Sequence, residues 1–299
     1  MEPRKPHILD QDIYPHWSLL GRKPWKPKGD ARIAFVIYLY LERFEAMPPA
    51  DAIFDRRHRQ GMARYAPFLR ANAAFEYGNR VGIFRILDLL DHHGLRANVA
   101  ANTAAITAYP YLVEQLNRRK YEFLAHGEYA SRMITSAMPE AEQRRIVAAS
   151  MDAIGKATGQ RPRGWMSQDY GQSTQLPQIL AEMGIQYLCD YGNDEEPYPT
   201  ATSPKMVSVP NQLEWNDVEM LLHRKLTSED HAQTCKDAFD LLHEDGATST
   251  RVYGLHIHPW MIGQPARFKF LEDIVRHIAG HAGVWNATAG EVAGSAALS

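Results

Sequence analysis

Five short apolar runs in this sequence each stop at a polar side chain. The residues at which they stop are Glu42, His126, Ser167, Asp190 and His258. His258 stands directly before Pro259, and a strand has to end there because proline cannot donate to a sheet ladder. In α/β barrels the chemistry lies where the parallel strands end, so the pattern predicts that these side chains share one rim.

Helical patterns fill the intervals between the apolar runs. Ile83, Ile86, Leu87 and Leu90 lie on one helical face, and helices are also predicted over 103–119, 139–156, 174–183, 230–243 and 271–278. Regular alternation of strand and helix indicates a parallel sheet with helices outside it. The number of strands favours an α/β barrel over an open sheet. No G-x-G-x-x-G or P-loop motif follows the first strand, which argues against a dinucleotide or ATP enzyme.

The chain is predicted to form a short arm followed by one domain. Residues 1–30 are rich in Pro, Lys, Arg and Trp and are expected to form an extended arm packed on the body. Residues 31–299 then form a single barrel, which is a normal size for this fold. Two long connections, 43–77 and 191–229, are expected to be functional, because long loops in compact domains tend to be.

Composition argues against several classes of partner. The net charge of −2 provides no basic field for nucleic acid or anionic lipid, and no apolar stretch is long enough to span a bilayer. Two cysteines, Cys189 and Cys235, cannot form a disulfide framework or a cysteine-based zinc site. The first residues are not followed by an apolar signal region. We therefore expect a cytoplasmic protein with a small-molecule substrate, and the arm suggests a homo-oligomer.

Three of the polar side chains carry the candidate chemistry. His258 can be a general acid or base because the ordinary pKa of histidine lies near neutrality, or it can be a half-buried histidine bonded to backbone. Glu42 can be a base, a metal ligand or the ion-pair partner of Arg43. A metal-ligand role for His126 needs partners, and the usual one, four residues later, is replaced by Ala130.

Other polar and aromatic residues are candidates for substrate binding. Asp190, Asn193 and Asp194 can bind a polar substrate, although such a cluster is often a solvated loop. Trp165 and Trp260 can wall a pocket, although tryptophan more often belongs to the core. Arg267 is a further candidate for gripping the heteroatoms of a substrate.

Several motifs that carry a family resemblance follow one another between about residue 30 and residue 290. They are Glu76-Tyr-Gly-Asn-Arg-Val-Gly82, Phe123-Leu-Ala-His-Gly127, Thr158-Gly-Gln-Arg-Pro-Arg-Gly-Trp165, Asp190 with Asn193-Asp194 and Pro197-Tyr198, His258-Pro259 with Gly263-Gln-Pro and Arg267, and Val284-Trp285. With this ordered set the chain resembles the polysaccharide deacetylase family, and most of all its branch of metal-independent allantoinases and cyclic imide hydrolases. The resemblance implies a distorted (β/α)7 barrel and hydrolysis of a carbon–nitrogen bond outside peptides.

Departures from the family pattern remove metal ligands. Metal-dependent relatives carry an aspartate pair at the end of the first strand and an H-x-x-x-H pair, whereas this chain has Tyr40 and Ala130 at such positions. Met166 stands in place of the family's arginine, and Ala266 stands where a histidine is common. Stable zinc binding normally needs at least three protein ligands, so we expect no tightly held transition metal and no cofactor.

The resemblance leaves three functions open. The favoured one is a metal-independent amidohydrolase of a small cyclic amide, imide or ureide. Glu42 would then be the base, His126 would hold or polarise the carbonyl, and His258 would protonate the leaving nitrogen. Glu42 could instead only orient a histidine base. The alternatives are a metal-dependent N-deacetylase of amino sugars and a binding protein without catalysis.

Overall fold

A computed structural model describes residues 11–16, 18–54 and 65–296 of the chain. Residues 1–10 and 17 of the predicted arm lie outside the described residues. The same holds for residues 55–64 of the first long connection and for residues 297–299 of the predicted barrel domain.

A curled, mainly parallel sheet lies at the centre of the fold, which confirms the predicted α/β class. Its strands are β1 (Ile33–Leu41), β2 (Asn98–Ala101), β3 (Glu122–Ala125), β4 (Gly164–Trp165), β5 (Tyr187–Leu188), β6 (Tyr198–Pro199), β7 (Val207–Ser208), β8 (Arg251–Ile257) and β9 (Val284–Asn286). Neighbouring strands follow the order β6-β7-β5-β4-β3-β2-β1-β8, and β9 pairs with the beginning of β1. The pairing of β6 with β7 is antiparallel, whereas the other pairs are parallel.

Helices surround the sheet, most of them on its outside, whereas the last, Ala289–Ala296, packs against the interior side chains of the barrel. They are α1 (Leu69–Tyr77), α2 (Ile83–His92), α3 (Thr103–Ala108), α4 (Pro110–Arg118), α5 (Glu140–Thr158), α6 (Leu176–Glu182), α7 (Ser228–Asp245), α8 (Pro265–Ala279) and α9 (Ala289–Ala296). The single helix predicted over 103–119 is divided in two at Tyr109, because Pro110 has no N–H and begins a new helix. Among the described helices, none has both the length and the apolar composition needed to cross a membrane.

Side chains alternate along β1 between two layers of the core. The odd-numbered residues, such as Phe35 and Leu39, pack between the sheet and the helices. The even-numbered residues, such as Tyr38 and Tyr40, pack inside the barrel. Because successive side chains of a strand point to opposite faces, this alternation continues to the next even-numbered residue, Glu42, on the interior side.

The segment after β7 covers the outer edge of β8 with side chains instead of a strand. The Gln212 amide donates to the carbonyl of Val252 at 2.9 Å, and the Trp215 indole donates to the carbonyl of Gly254 at 2.7 Å. Backbone groups of alternate residues in a strand point to the same edge, so both contacts satisfy the edge that does not pair with β1. The long connection 191–229 thus covers and satisfies the outer edge of β8.

A π-helical turn, Gly78–Gly82, fixes the ends of β1 and β8 relative to each other. A Cβ atom at Gly82 would lie 2.3 Å from the carbonyl oxygen of Pro259, so only glycine allows these two backbones to approach this closely. From the same turn, the Asn79 amide donates to the backbone carbonyl of Glu42 at 2.7 Å. The turn therefore contacts the segments that follow both strands.

Candidate active site

Three polar side chains meet at the carboxyl ends of β1, β3 and β8. Glu42, His126 and His258 follow these strands and are 9%, 1% and 7% exposed. Oε1 of Glu42 lies 3.2 Å from Nε2 of His126. The ring of Tyr40 lies 5.7 Å from the His126 ring and 3.7 Å from the His258 ring, between centroids. The structure therefore brings the three predicted catalytic side chains to one place.

Glu42 and His126 form a pair that shares a proton. Nδ1 of His126 lies 2.7 Å from the carbonyl oxygen of Met166, which can only accept, so Nδ1 carries hydrogen. In a neutral ring Nε2 would then be an acceptor and would face another acceptor, the Glu42 carboxylate. The contact is attractive only when one of the two groups holds an additional proton. The observed geometry therefore requires a proton between Nε2 of His126 and Oε1 of Glu42.

Asp217 fixes the position and the charge of His258. Its side chain is fully buried; Oδ2 accepts the backbone N–H of His258 at 2.8 Å, and Oδ1 lies 2.5 Å from Nδ1. Burial opposes the charged ring, but the charge and hydrogen bond of Asp217, with the charges of Glu42 and Asp169, raise the pKa of His258 above its ordinary value. Nδ1 is held by Asp217, so Nε2 is the ring atom left to exchange a proton.

His256 lies one layer deeper in the barrel and stays neutral. The hydroxyl of Tyr40 lies 3.0 Å from its Nδ1, and the ring of Tyr38 stacks on it at 5.1 Å. Burial, and then the nearby charge of His258, lower the pKa of His256 to about 3. A neutral ring in this position orients Tyr40, which in turn stacks on His258.

Asp190 anchors the loop after β4. Its oxygens accept the backbone N–H of Ser167 at 2.7 Å, the hydroxyl of Ser167 at 2.9 Å and the side-chain amide of Gln172. Burial raises the pKa of Asp190 to about 6, against the opposing effect of these hydrogen bonds and of His126. Three donors thus occupy the carboxylate, and its contact with a substrate stays a prediction.

Asp169 lies on the same loop in an uncommon backbone conformation. Its φ of 47° and ψ of 28° fall in the left-handed region, which few residues other than glycine adopt. Such conformations cluster at functional sites. The side chain is half-buried, and its charge contributes to the raised pKa of His258. Asp169 is therefore a site residue that sequence analysis missed.

Trp165 lies on the other face of the sheet from the candidate site. It pairs with Ala125 and Leu188, and all three side chains pack in the layer between sheet and helices. The side chain is fully buried, and its indole N–H donates to the hydroxyl of Ser167 at 2.9 Å. This placement corrects the predicted pocket wall: in a strand, the next residue, Met166, is the one that points into the barrel.

Asn193 and Asp194 lie near the beginning of β8, away from the candidate site. Both carboxylate oxygens of Asp194 accept from Arg22, at 2.7 and 2.9 Å. The carbonyl of Glu195 accepts the N–H of Val252, the second residue of β8, at 2.8 Å. The three candidate catalytic residues follow strand ends, about 20 Å away along this strand. The pairing with Arg22 thus corrects the predicted substrate contact of Asp194. The side chain of Asn193 accepts from the Tyr198 hydroxyl at 2.7 Å, and its contact with a substrate stays a prediction.

Trp260 and Arg267 lie in and after the turn that follows His258. Trp260 is 6% exposed, and its ring packs edge-on against Phe75 at 4.8 Å and against His258 at 6.3 Å. Arg267 is half-buried in the first turn of α8, where its guanidinium donates to the carbonyl of Met261 at 3.3 Å. Both residues lie close to His258 in the chain. Their contacts with a substrate stay predictions.

A resident metal ion does not fit the side chains of this site. Tyr40 and Ala130, at positions where metal-dependent relatives carry ligands, are neither carboxylate nor imidazole side chains. The ligand-type side chains here contact each other in two separate pairs, Glu42 with His126 and Asp217 with His258. Among residues 11–16, 18–54 and 65–296, a group of three close potential ligands occurs at Asp240, His277 and His281, not here.

Asp217 is the second residue that sequence analysis missed. It lies in the long connection 191–229, which the sequence marked as functional by its length alone. Neither a periodic pattern nor the end of an apolar run precedes it. The edge contacts of Gln212 and Trp215 with β8 place it, and these form only in the folded chain.

A family model and a sequence relative that match this chain both carry the description polysaccharide deacetylase. A family model described as polysaccharide deacetylase matches residues 71–188. A protein of Schizosaccharomyces pombe (strain 972) that is named "Putative polysaccharide deacetylase" is 30% identical over 243 residues. The aligned part covers 74% of this chain and 74% of that protein.

Solved structures share the whole architecture. A structure from Pseudomonas aeruginosa PAO1, described as a probable polysaccharide deacetylase, superposes with a TM-score of 0.79 at 26% identity and covers 89% of this chain and 91% of that chain. PuuE allantoinase superposes with a TM-score of 0.82 at 24% identity and covers 94% of this chain and 96% of that chain. These matches confirm the predicted distorted (β/α)7 barrel.

Proposed function

This chain belongs to the polysaccharide deacetylase family, and we propose that it hydrolyses a carbon–nitrogen bond of a small cyclic amide, imide or ureide without a resident metal ion. One observation carries the proposal: two carboxylate–histidine pairs, Glu42 with His126 and Asp217 with His258, lie at the same strand ends. Amide hydrolysis needs a base, a donor to the developing oxyanion and an acid. These pairs can supply all three.

Glu42 is the proposed base. It takes a proton from a water molecule whose oxygen forms a bond to the substrate carbonyl carbon. When the proton shared with His126 lies on the ring, Glu42 is an ionised carboxylate and can accept the proton of water. The positive ring then lies beside the carbonyl oxygen, which becomes negative as the bond forms, and stabilises it.

His258 is the proposed acid. As the tetrahedral intermediate collapses, the carbon–nitrogen bond breaks and its electron pair passes to the nitrogen. That nitrogen takes the proton from Nε2 of His258. Asp217 supports this step because it raises the pKa of His258 and keeps the ring protonated at Nδ1. In a cyclic substrate the product is one ring-opened molecule that carries a carboxylic acid. Its leaving nitrogen becomes an amine from a cyclic amide, a primary amide from an imide, or part of a urea group from a ureide.

Burial and aromatic contacts support a small, flat substrate. Glu42 and His258 are at least nine-tenths buried, so the reacting atoms have to enter a recess. Tyr40 stacks on His258, and the edge of Trp260 lies near the same ring. Aromatic faces of this kind favour a planar ring over an extended chain. Of the alternatives, a metal-dependent N-deacetylase is disfavoured because the side chains do not offer a ligand set.

A substrate screen tests the proposal. Chelator-washed protein would be assayed against cyclic imides, hydantoins and ureides, with an acetylated amino-sugar oligomer as the contrasting substrate. We expect turnover of a cyclic compound, and we expect His258→Ala to lower the rate by ~10²–10⁴-fold. His92→Ala, on an exposed helix end, is the matched control and should leave the rate unchanged.

The outcomes separate the candidate functions. A His258→Ala variant that matches the wild type on the substrate turned over would refute the assignment of the acid. Turnover of the amino-sugar oligomer alone, and only with added zinc, would establish the deacetylase instead. No turnover of any compound would favour a binding protein without catalysis.

A further inference from the structure

A second cluster of ligand-type side chains lies on the outer helices. Asp240 belongs to α7, His277 belongs to α8, and His281 lies just after the end of α8, four residues after His277. Oδ1 of Asp240 lies 2.6 Å from Nε2 of His277. One ligand atom from each of the three side chains lies within 4.8 Å of the other two. The cluster therefore offers two imidazoles and one carboxylate at a single point.

The hydrogen bonds at this cluster leave the right atoms for coordination. Nδ1 of His281 donates to the carbonyl of His277 at 2.8 Å, so its Nε2 is the atom that can bind. Histidines that ligate metals characteristically donate their other ring N–H to a carbonyl or carboxylate in this way. His277 and His281 are half-buried, and Asp240 is exposed, so an ion can reach them from solvent.

The surroundings hold the two histidine rings in place. The ring of Phe239 lies 5.7 Å from His277 and 5.1 Å from His281, between centroids. His243 packs against His281 at 5.3 Å, and its Nε2 donates to the carbonyl of Ala282 at 2.8 Å. The Phe239 ring and the hydrogen-bonded His243 restrict the two histidine rings, so less rotational freedom is lost when an ion binds.

We propose that Asp240, His277 and His281 form a binding site for a divalent late transition metal such as zinc. Imidazole nitrogen suits Zn²⁺, Ni²⁺ and Cu²⁺, and two imidazoles with a carboxylate are a common set of three protein ligands. Zinc bonds to nitrogen and carboxylate oxygen at about 2.0–2.2 Å, so small side-chain rotations bring the three atoms onto one ion. The ion takes the place of the proton between His277 and Asp240, and water completes a tetrahedral shell.

This site is separate from the candidate active site. The chain passes from His281 into β9, which pairs with the beginning of β1. Glu42 follows the end of β1, about 30 Å away for a strand of this length. Metal at the outer cluster would therefore link α7 to α8 and stabilise the fold, and it would not supply a reagent for hydrolysis.

Zinc titration of the full, untagged chain tests the site. Chelator-washed protein would be titrated with Zn²⁺ against a chromophoric competitor, and we expect one bound ion per chain. Asp240→Asn, His277→Ala and His281→Ala should each weaken binding by at least ~10-fold. A double substitution of His92, which is exposed, and His93, which is half-buried, to alanine is the matched control, and it should leave the affinity unchanged.

Two further measurements locate the ion. His126→Ala removes the histidine that contacts Glu42 in the candidate active site, and it should leave zinc affinity unchanged. Zinc in excess of Kd should raise the thermal midpoint of the wild type by about 5 °C but not that of His277→Ala. Unchanged affinity in the three cluster variants, or loss of zinc in His126→Ala, would overturn the inference.

Discussion

The two ends of the barrel both bury charged side chains, but they balance the charges in different ways. At the amino end, Arg22 pairs with Asp194, and Arg251 pairs with Glu195 and Glu196. The arginine side chains there are only 8% and 6% exposed. At the carboxyl end, the partners of the carboxylates are histidines, Glu42 with His126 and Asp217 with His258.

The difference separates a structural cluster from a chemical one. Arginine keeps its proton at any working pH, so the pairs at the amino end are fixed charges that hold the arm and the loop against β8. Histidine exchanges its proton near neutrality, so the pairs at the carboxyl end can change their charge during a reaction. Acidic residues alone do not distinguish the two ends; the identity of their partners does.

We expect the largest effect from Asp217→Asn, a substitution at the carboxyl end. The substitution keeps the shape of the side chain but removes the charge that holds His258 in its protonated form. We expect kcat to fall by ~10²–10⁴-fold with little change in secondary structure. Steady-state kinetics on the substrate found by the screen, with circular dichroism on the same samples, measure both effects. Equal kcat values for variant and wild type would show that Asp217 is only structural.

The amino end should give the opposite result. Arg251→Met removes the cation between Glu195 and Glu196, and breaking a buried pair typically costs about 3–5 kcal/mol of stability. Because the substitution lies near the start of β8, kcat per folded molecule should not change. Urea unfolding measures the loss, and Arg118→Ala is the control. Its ion pair with Glu114 is exposed and should contribute less than ~0.5 kcal/mol.

Sequence patterns predicted the parts of the molecule that are built from periodic strands and helices. Apolar runs, helical faces and the position of Pro259 led to the barrel and to the strand ends that carry Glu42, His126 and His258. Alternation within a strand also separates Trp165 from Met166, but the strand that contains them has only two residues. Two residues are too few for a pattern to show which side chain faces the interior.

Long-range partners could not be predicted from the sequence. The acidic residues after β5 look like a polar binding loop, and only folding shows that Arg22, far away in the chain, neutralises Asp194. Asp217 is likewise brought to His258 across a separation of 41 residues. Such contacts depend on where loops cross the barrel, and neither periodicity nor composition encodes that path in one sequence.

Asp190 is a buried acid at the carboxyl end, and its carboxylate accepts hydrogen bonds from neutral donors instead of pairing with a cation. Burial raises its folded-state pKa to about 6 from an unfolded value near 3.8. The folded chain therefore holds this proton to higher pH, so this contribution to stability is present below about pH 4 and is lost as the pH rises to about 6. The change should amount to at most about 3 kcal/mol.

The pH dependence of unfolding isolates that contribution. Wild type and Asp190→Asn would be unfolded in urea at a series of pH values, and the difference between their free energies of unfolding should change between pH 4 and pH 6. Asp152→Asn, at an exposed position, is the control and should give a constant difference. A constant difference for Asp190→Asn as well would mean that the donors from Ser167 and Gln172 keep this carboxylate ionised.

We expect the smallest effect from Asp169, whose charge acts on His258 from the loop after β4. Its negative charge helps to raise the pKa of His258, so Asp169→Asn should lower that pKa and shift the alkaline limb of the kcat profile to lower pH. His258 acts as an acid, so its active, protonated form is lost as the pH rises through its pKa. A lower pKa therefore moves the alkaline limb to lower pH. Asp194→Asn removes the same charge at the amino end, where Arg22 neutralises it, and should not move the limb. If both variants shifted the limb equally, the two ends of the barrel would not be electrostatically distinct, and the net charge of the chain would control His258 instead.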